Sequence, residues 1–125
     1  MKTLTALLTL ALCFTFSACA AQKDRTLDIY WIDVEGGGGT LIVTPEGESV
    51  LIDSGNPGVR DSGRIHKTAT TVAGLKKIDH YITTHFHIDH FGGAAELAVL
   101  LPIVRVWDNG IPDRSEERRV GKECW

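Results

Sequence analysis

Hydrophobic and polar positions along the chain follow two periods, one typical of strands and one typical of helices. Short runs rich in β-branched and aromatic residues predict strands over 27–34, 40–44, 49–53, 78–84 and 103–107. Between Ile65 and Leu75 apolar residues recur at helical spacing, which predicts an amphipathic helix over 61–77. A second helix is predicted over 93–101 and ends at Pro102.

The order of these elements predicts the α/β fold class. The strands 40–44 and 49–53 are joined by the segment 45–48, which is rich in turn-forming residues and predicts an antiparallel hairpin. Together with the strand 27–34 they would form an antiparallel edge of a sheet. The elements that follow alternate as β-α-β-α-β, which indicates a layered α/β arrangement.

The N-terminus has the pattern of a secretory signal peptide over residues 1–21. Lys2 precedes an apolar run from Leu4 to Phe16, which is shorter than the roughly 20 residues that a membrane-spanning helix needs. Two cleavage patterns are present: a small-x-small site at 18–20, and a lipobox-like segment that would leave Cys19 lipidated. We therefore expect a bacterial exported protein, either periplasmic or an outer-membrane lipoprotein that meets the membrane only through Cys19.

The C-terminal segment differs in composition from the rest of the chain. Residues 114–124 form a dense run of charges and are similar to the translation of a widely used short-read sequencing adapter. We therefore predict that 114–125 is a non-native tail. The domain itself is then expected to occupy residues 22–113.

Composition excludes several classes of protein. The 125 residues are 43% hydrophobic and 23% charged with a net charge of −3, which is typical of a soluble domain. Residues 22–113 hold 8 Lys and Arg against 13 Asp and Glu, so no basic surface for nucleic acid is predicted. The same segment contains no cysteine, so its stability must come from its core or from bound metal.

Candidate chemistry concentrates directly after the fourth predicted strand, in a His-x-His-x-Asp-His pattern at 85–90. Imidazole together with carboxylate suits borderline cations, and zinc is the commonest of these in hydrolytic sites. Side chains two apart on an extended segment point to the same side, so His85 and His87 can bind one ion. A turn after this pair would direct Asp89 and His90 toward a neighbouring point, where a second ion can bind.

At these positions the chain resembles the metallo-β-lactamase superfamily of binuclear metallohydrolases. Residues 84–90, with glycines at 92 and 93, match the family signature without a gap, and the segments 51–55 and 33–37 match the elements that precede it. The resemblance covers about residues 27–113 and is closest to exported members related to the hydrolase-like part of competence proteins. It implies a four-layer αββα fold of which this chain holds the N-terminal half.

The resemblance also implies a role for each motif residue. His85 and His87 would bind a first zinc ion, and Asp89 and His90 would bind a second. Asp89 would in addition orient the nucleophile, and Asp53 would orient the site from behind the ligands. The implied reaction is hydrolysis of an ester, amide or lactam, thioester or phosphodiester bond by a metal-activated hydroxide.

Parts of the family pattern are missing from this sequence. No histidine follows His90, although the family supplies a further histidine for each metal and a bridging aspartate. Asp108 and Asp113 are later carboxylates, and neither is assigned as a ligand. We therefore expect the full-length gene product to be an enzyme acting on a small molecule or a polymer, and this truncated polypeptide to be inactive and prone to aggregate. The alternative function is a non-catalytic envelope binding module that retains the fold.

Two further features give predictions of position. The four glycines at 36–39 predict a flexible hairpin turn near the metals rather than a phosphate cradle, because no helix N-terminus follows them. Trp31 and Trp107 are predicted to be core aromatic residues.

Overall fold

The computed structural model describes residues 26–110. The predicted signal peptide with Cys19, the predicted tail and Asp113 lie outside the described residues. None of the helices between residues 26 and 110 has the length and hydrophobicity of a membrane-spanning segment.

The described strands form one five-stranded sheet whose spatial order follows the chain order. The first three strands pair antiparallel and the last three pair parallel, which confirms both the predicted hairpin and the predicted β-α-β-α-β order. The register places Leu41 opposite Leu51, and Leu51 opposite Tyr81. The strands are β1 (Asp28–Trp31), β2 (Thr40–Val43), β3 (Ser49–Ile52), β4 (Ile78–Ile82) and β5 (Ile103–Trp107).

Three helices connect the parallel strands. They are α1 (Val59–Lys67), which continues into a π-helical segment (Thr68–Val72), then the short α2 (Ile88–Phe91) and α3 (Ala94–Leu100). The predicted helix 61–77 is therefore shifted toward the N-terminus, and its last residues are not helical. β-Branched residues between 68 and 72 weaken regular helix there, and Gly74 at φ +68° ends the segment.

The hydrophobic core lies between the helices and one face of the sheet. Both parallel crossovers have the same hand, which places α1 and α3 on that single face. The buried apolar side chains come from the three inner strands, from α1 with its π-helical continuation, and from α3 and its end: Leu41, Val43, Leu51, Ile65, Ala69, Ile78, Tyr81, Leu97 and Leu101. The α/β fold class is confirmed, with one sheet of the expected four-layer arrangement in the described residues.

The opposite face of the sheet carries apolar side chains that the described residues do not cover. Trp31 is 80% exposed and Trp107 is 52% exposed, so the prediction that both are core residues is wrong. Both follow the strand alternation onto the face away from α1 and α3, where Trp107 lies opposite Ile82 and Trp31 lies opposite Thr40. The helices bury only one face of the sheet. Because side chains alternate between the two faces along each strand, only aromatic residues on the helix-covered face are buried.

A polar contact joins the N-terminal ends of β3 and β4, at the end of these strands remote from the histidine motif at 85–90. One carboxylate oxygen of Asp79 accepts hydrogen bonds from the Ser49 backbone N–H (3.0 Å) and hydroxyl (2.9 Å). Its other oxygen forms an ion pair with Lys77. These contacts lower the pKa of Asp79 to about 2. The Lys77 ammonium has the largest effect and the two Ser49 donors add to it, whereas burial of the carboxylate acts in the opposite direction.

Candidate metal centre

The predicted metal-binding segment begins where β4 ends. β3 and β4 are parallel, so their carboxyl ends meet at one edge of the sheet. The Asp53 N–H donates to the Ile82 carbonyl (2.9 Å), which carries Asp53 to the same edge as Thr84 and His85. Asp53 and Thr84, 31 residues apart in the sequence, are thereby brought into one site.

Asp53 is the most constrained residue of this edge. It is a non-glycine residue with φ +60°, and its side chain is 4% exposed. Its Oδ1 accepts the Thr84 N–H (2.9 Å), while its Oδ2 accepts the Thr84 hydroxyl (2.8 Å) and lies 2.8 Å from His90 Nδ1. The strained backbone is stabilised because the carboxylate has a donor for each oxygen.

These contacts determine which ring nitrogen of His85 and of His90 is left with a lone pair that can bind a metal ion. The Thr84 hydroxyl donates its proton to Asp53, so His85 Nδ1, 3.1 Å away, acts as the donor to the Thr84 oxygen. The Nε2 of neutral His85 then carries a lone pair. His90 donates from Nδ1 to Asp53 in the same way and also presents Nε2. Asp53 therefore orients two imidazoles, one directly and one through Thr84.

The predicted ligand pairs lie close together. His85 Nε2 and His87 Nδ1 face each other at 2.9 Å, and the His85 and His90 ring centroids are 4.0 Å apart. His90 Nε2 lies 3.9 Å from a carboxylate oxygen of Asp89. The structure thus places all four predicted ligands at the end of β4, and Asp53 behind them.

The surroundings of His85 favour its neutral form. Burial lowers the pKa of His85 below its ordinary value, and the neighbouring His90 and His87 lower it further. The opposing effect of the Asp53 and Asp89 carboxylates is smaller. A neutral imidazole is the form that binds a metal ion.

The glycine-rich loop between β1 and β2 packs against this segment. A side-chain carbon at Gly37 would overlap the carbonyl oxygen of Asp89, and one at Gly38 would lie 2.6 Å from Asp53 Oδ2. Only glycine permits so close an approach at these two positions. The glycines therefore lie in a hairpin connection packed against the motif, and the predicted flexibility of this turn stays a prediction.

A second loop, after β3, holds the helix that carries Asp89 and His90. The Ser54 N–H donates to the His90 carbonyl (2.6 Å), and the Ser54 hydroxyl lies 2.9 Å from the Tyr81 hydroxyl. The Gly93 N–H donates to the Gly55 carbonyl (3.2 Å). These backbone contacts therefore help to set the position of α2.

The donor set, imidazole nitrogens with a carboxylate, suits a divalent metal ion. Two nitrogens bound to one tetrahedral zinc lie about 3.3 Å apart, and the His85 and His87 nitrogens are close to this separation. Across residues 26–110, no group of three or more His, Cys, Asp or Glu side chains is arranged to hold an ion by itself. Residues 26–110 therefore fit part of a metal site, in which the ring nitrogens of His85 and His87 are placed to share one ion.

Comparison with known proteins agrees with this fold. Residues 34–121 match the family model of the metallo-beta-lactamase superfamily. Because the match covers more than half of the chain, the chain belongs to that superfamily. The more specific relation to competence proteins stays a prediction.

Two curated bacterial proteins are similar to the chain. A UPF0173 metal-dependent hydrolase of Koribacter versatilis is 31% identical, over 66% of this chain and 36% of the relative. A UPF0173 metal-dependent hydrolase of Polynucleobacter asymbioticus is 33% identical, over 66% of this chain and 27% of the relative. The matches therefore span about a third of the length of these relatives.

Sequence reasoning missed two residues of the site. Thr84 was part of the matched motif, and its position next to His85 was the available signal for its hydrogen bonds. Ser54 follows Asp53 in the matched loop, but its contact with Tyr81 depends on the pairing of β3 with β4. His80 is not in the site: its Nε2 lies 2.9 Å from a Glu48 carboxylate oxygen, and its Nδ1 accepts the Trp107 indole N–H.

Proposed function

We propose that the gene product is a zinc-dependent hydrolase, and that this chain supplies the first ligands of a two-metal site. The observation that carries the proposal is the facing pair His85 Nε2 and His87 Nδ1 at the end of β4. Superfamily membership and the names of the two relatives, both metal-dependent hydrolases, support it. Substrates with an ester, amide or lactam, thioester or phosphodiester bond fit this proposal.

In the proposed site, His85 and His87 hold the first ion, and Asp89 and His90 contribute to the second. When bound, zinc would activate water near neutral pH for attack on an electrophilic carbonyl or phosphorus centre. The residues of this chain prepare that chemistry. Asp53 holds His90 directly and His85 through Thr84, so both imidazoles would bind a metal through Nε2.

The ligands of this chain do not complete the site that we propose. The sequence contains no histidine after His90. We therefore propose that the 125-residue polypeptide has no hydrolase activity by itself and that it binds zinc through a partial set of ligands. Zinc stoichiometry tests this point, because two tightly held ions per polypeptide would contradict it.

Substitution of the first pair tests the metal assignment. His85→Ala and His87→Ala should each lower the zinc affinity of the chain by at least tenfold, measured by competition with a chromogenic chelator. His66→Ala, a matched loss of one imidazole on α1, should leave the affinity within twofold of the unaltered chain. Equal affinities for all three variants would contradict the proposed ligands.

Activity is tested on the full-length gene product. We expect it to hydrolyse at least one of a panel of generic ester, thioester, lactam and phosphodiester substrates, and to lose that activity when His85 or His87 is substituted. Zinc binding without turnover on any of these substrates would favour a non-catalytic envelope binding module. For the location of the protein we propose export. Detection of Cys19 lipidation and of N-terminal cleavage in cells tests this proposal directly.

A further inference from the structure

The loop between β1 and β2, residues 32–39, is attached to α1 by several polar contacts along the helix. Arg64 donates to the Asp33 carbonyl (2.6 Å) and forms an ion pair with the Asp33 carboxylate. Arg60 lies 3.8 Å from the Glu35 carboxylate. These ion pairs are exposed, and such pairs stabilise a structure only weakly.

One contact in this group is buried. Asp61 is 2% exposed, and its Oδ2 accepts the backbone N–H of Asn56 (2.9 Å) and that of Glu35 (3.3 Å). Its Oδ1 pairs with Arg60. Burial alone would raise the pKa of Asp61, but the Asn56 N–H, the Arg60 guanidinium and the Glu35 N–H together lower it. The buried carboxylate therefore stays charged and joins two loops.

Asp61 does not cap its own helix. An acidic residue in the first turn of a helix commonly accepts N–H groups of that turn. Here both backbone donors, Asn56 and Glu35, lie outside α1. The contact with Asn56 is local, in the segment that leads into α1, and the contact with Glu35 is tertiary, so Asp61 joins the β1–β2 loop to the loop before its own helix.

The two loops joined by Asp61 are those that touch the metal-binding segment. A side-chain carbon at Gly55 would lie 2.6 Å from Asp61 Oδ2, so the loop after β3 rests directly on this carboxylate. The Gly55 N–H in turn donates to the Gly38 carbonyl (3.0 Å). Beyond it, Gly37 packs against the Asp89 backbone and Gly38 against the Asp53 carboxylate.

We propose that Asp61 is a positioning residue for the metal centre: it holds the β1–β2 loop against the backbone of Asp89 and the side chain of Asp53, and so fixes both carboxylates. Its effect on zinc rests on the function proposed above. Its effect on the loops does not, because the contacts are between protein groups alone. The two effects can be measured separately.

The chain offers a matched control in Asp79. Both carboxylates accept a backbone N–H from a distant segment and pair with a nearby cation, but Asp79 does so at the opposite edge of the sheet. Asp61→Ala and Asp79→Ala should therefore both lower the melting temperature. Asp61→Asn keeps an acceptor oxygen for Asn56 and Glu35, and it should restore most of the loop order that Asp61→Ala loses.

Hydrogen–deuterium exchange without metal tests the positioning role in the 125-residue chain. Asp61→Ala should speed amide exchange at least tenfold in both 33–39 and 85–93, and Asp61→Asn should be closer to the unaltered chain. Asp79→Ala should leave both segments within twofold of the unaltered chain. Equal exchange in these segments for Asp61→Ala and Asp79→Ala would overturn the proposal.

Zinc titration tests the consequence for the metal. Asp61→Ala should weaken zinc binding by about tenfold, as loss of a group that orients ligands does, and Asp79→Ala should leave it within twofold. Unchanged affinity in Asp61→Ala would overturn the link to the metal centre. If the unaltered chain binds no zinc at His85 and His87, the proposed function fails, and the exchange result alone decides whether Asp61 positions the loops.

Discussion

The Thr84 hydroxyl is the smallest group in the site with a distinct task. It links Asp53 to His85, because it donates a hydrogen bond to the Asp53 carboxylate and accepts one from His85 Nδ1. Asp53 thereby orients the His85 ring through Thr84. The Thr84 backbone N–H binds the same carboxylate separately. The side chain can therefore be altered while the backbone contact is kept.

We expect Thr84→Val to lower zinc affinity by about tenfold, because His85 loses the acceptor that sets its tautomer. Thr84→Ser keeps the hydroxyl and should retain an affinity within twofold of the unaltered chain. Competition with a chromogenic chelator gives both values. Similar losses for Val and Ser would show that the hydroxyl does not act through His85.

At this scale the sequence predicted four candidate ligands and Asp53 behind them, but not the residues that hold the surrounding loops. His85, His87, Asp89 and His90 lie within one short segment, so their pattern alone brings donors together. The contacts of Asp61 with Glu35 and Asn56 depend on how α1 meets two loops, and no local pattern encodes that meeting. Supporting contacts of this kind are found only from the assembled fold.

Among the elements, β3 and β4 are joined by backbone pairing along their length and by Asp79 at one end. The carboxylate has a pKa of about 2, below its ordinary value of 3.8. Its charged form is therefore favoured in the folded chain more than in the unfolded chain. The stabilisation is complete above about pH 4 and is lost as the pH falls toward 2.

We expect Asp79→Asn to lower the free energy of unfolding by about 1–2 kcal/mol at pH 7, through loss of the Lys77 pair and of charged hydrogen bonds to Ser49. The difference from the unaltered chain should narrow between pH 4 and pH 2. Urea unfolding followed by circular dichroism at several pH values measures it. Glu46→Gln, which removes an exposed carboxylate in the β2–β3 turn, should change little, and a difference for Asp79→Asn that is constant with pH would contradict the argument.

The types and the order of the strands and helices could be predicted from the periodicity of apolar residues, whereas the residues at which they begin and end could not. Alternation and β-branched residues predicted all five described strands, since a sheet with one buried face requires that pattern. The helix predicted over 61–77 has its start at Val59 and leaves regular α-helix at Thr68. Apolar spacing continued to Leu75 because that residue still packs on the core from an irregular segment.

For the molecule as a whole, the main feature is a sheet with helices on one face. Ile29, Trp31 and Trp107 are exposed on the other face within the described residues. Apolar side chains exposed on a sheet face promote association. The error in placing both tryptophans in the core arose because alternation tells which residues share a face, but not which face is covered.

We expect the 125-residue chain to self-associate with rising concentration, measured by sedimentation velocity. Trp31→Gln should shift this association to higher concentration, because it removes the largest exposed apolar group of β1. Val99→Gln removes an exposed apolar side chain from α3 and should have little effect. A chain that stays monomeric throughout would contradict this expectation.

The agreement between strand order and chain order bears on how the molecule is made. Each strand pairs with its predecessor in the chain, so no later segment has to be inserted between two strands that have already paired. The glycine loop and Asp53 precede in the chain the histidines that they contact. Residues up to Gly93 contain every contact of the candidate centre described above, so none of these contacts involves β5.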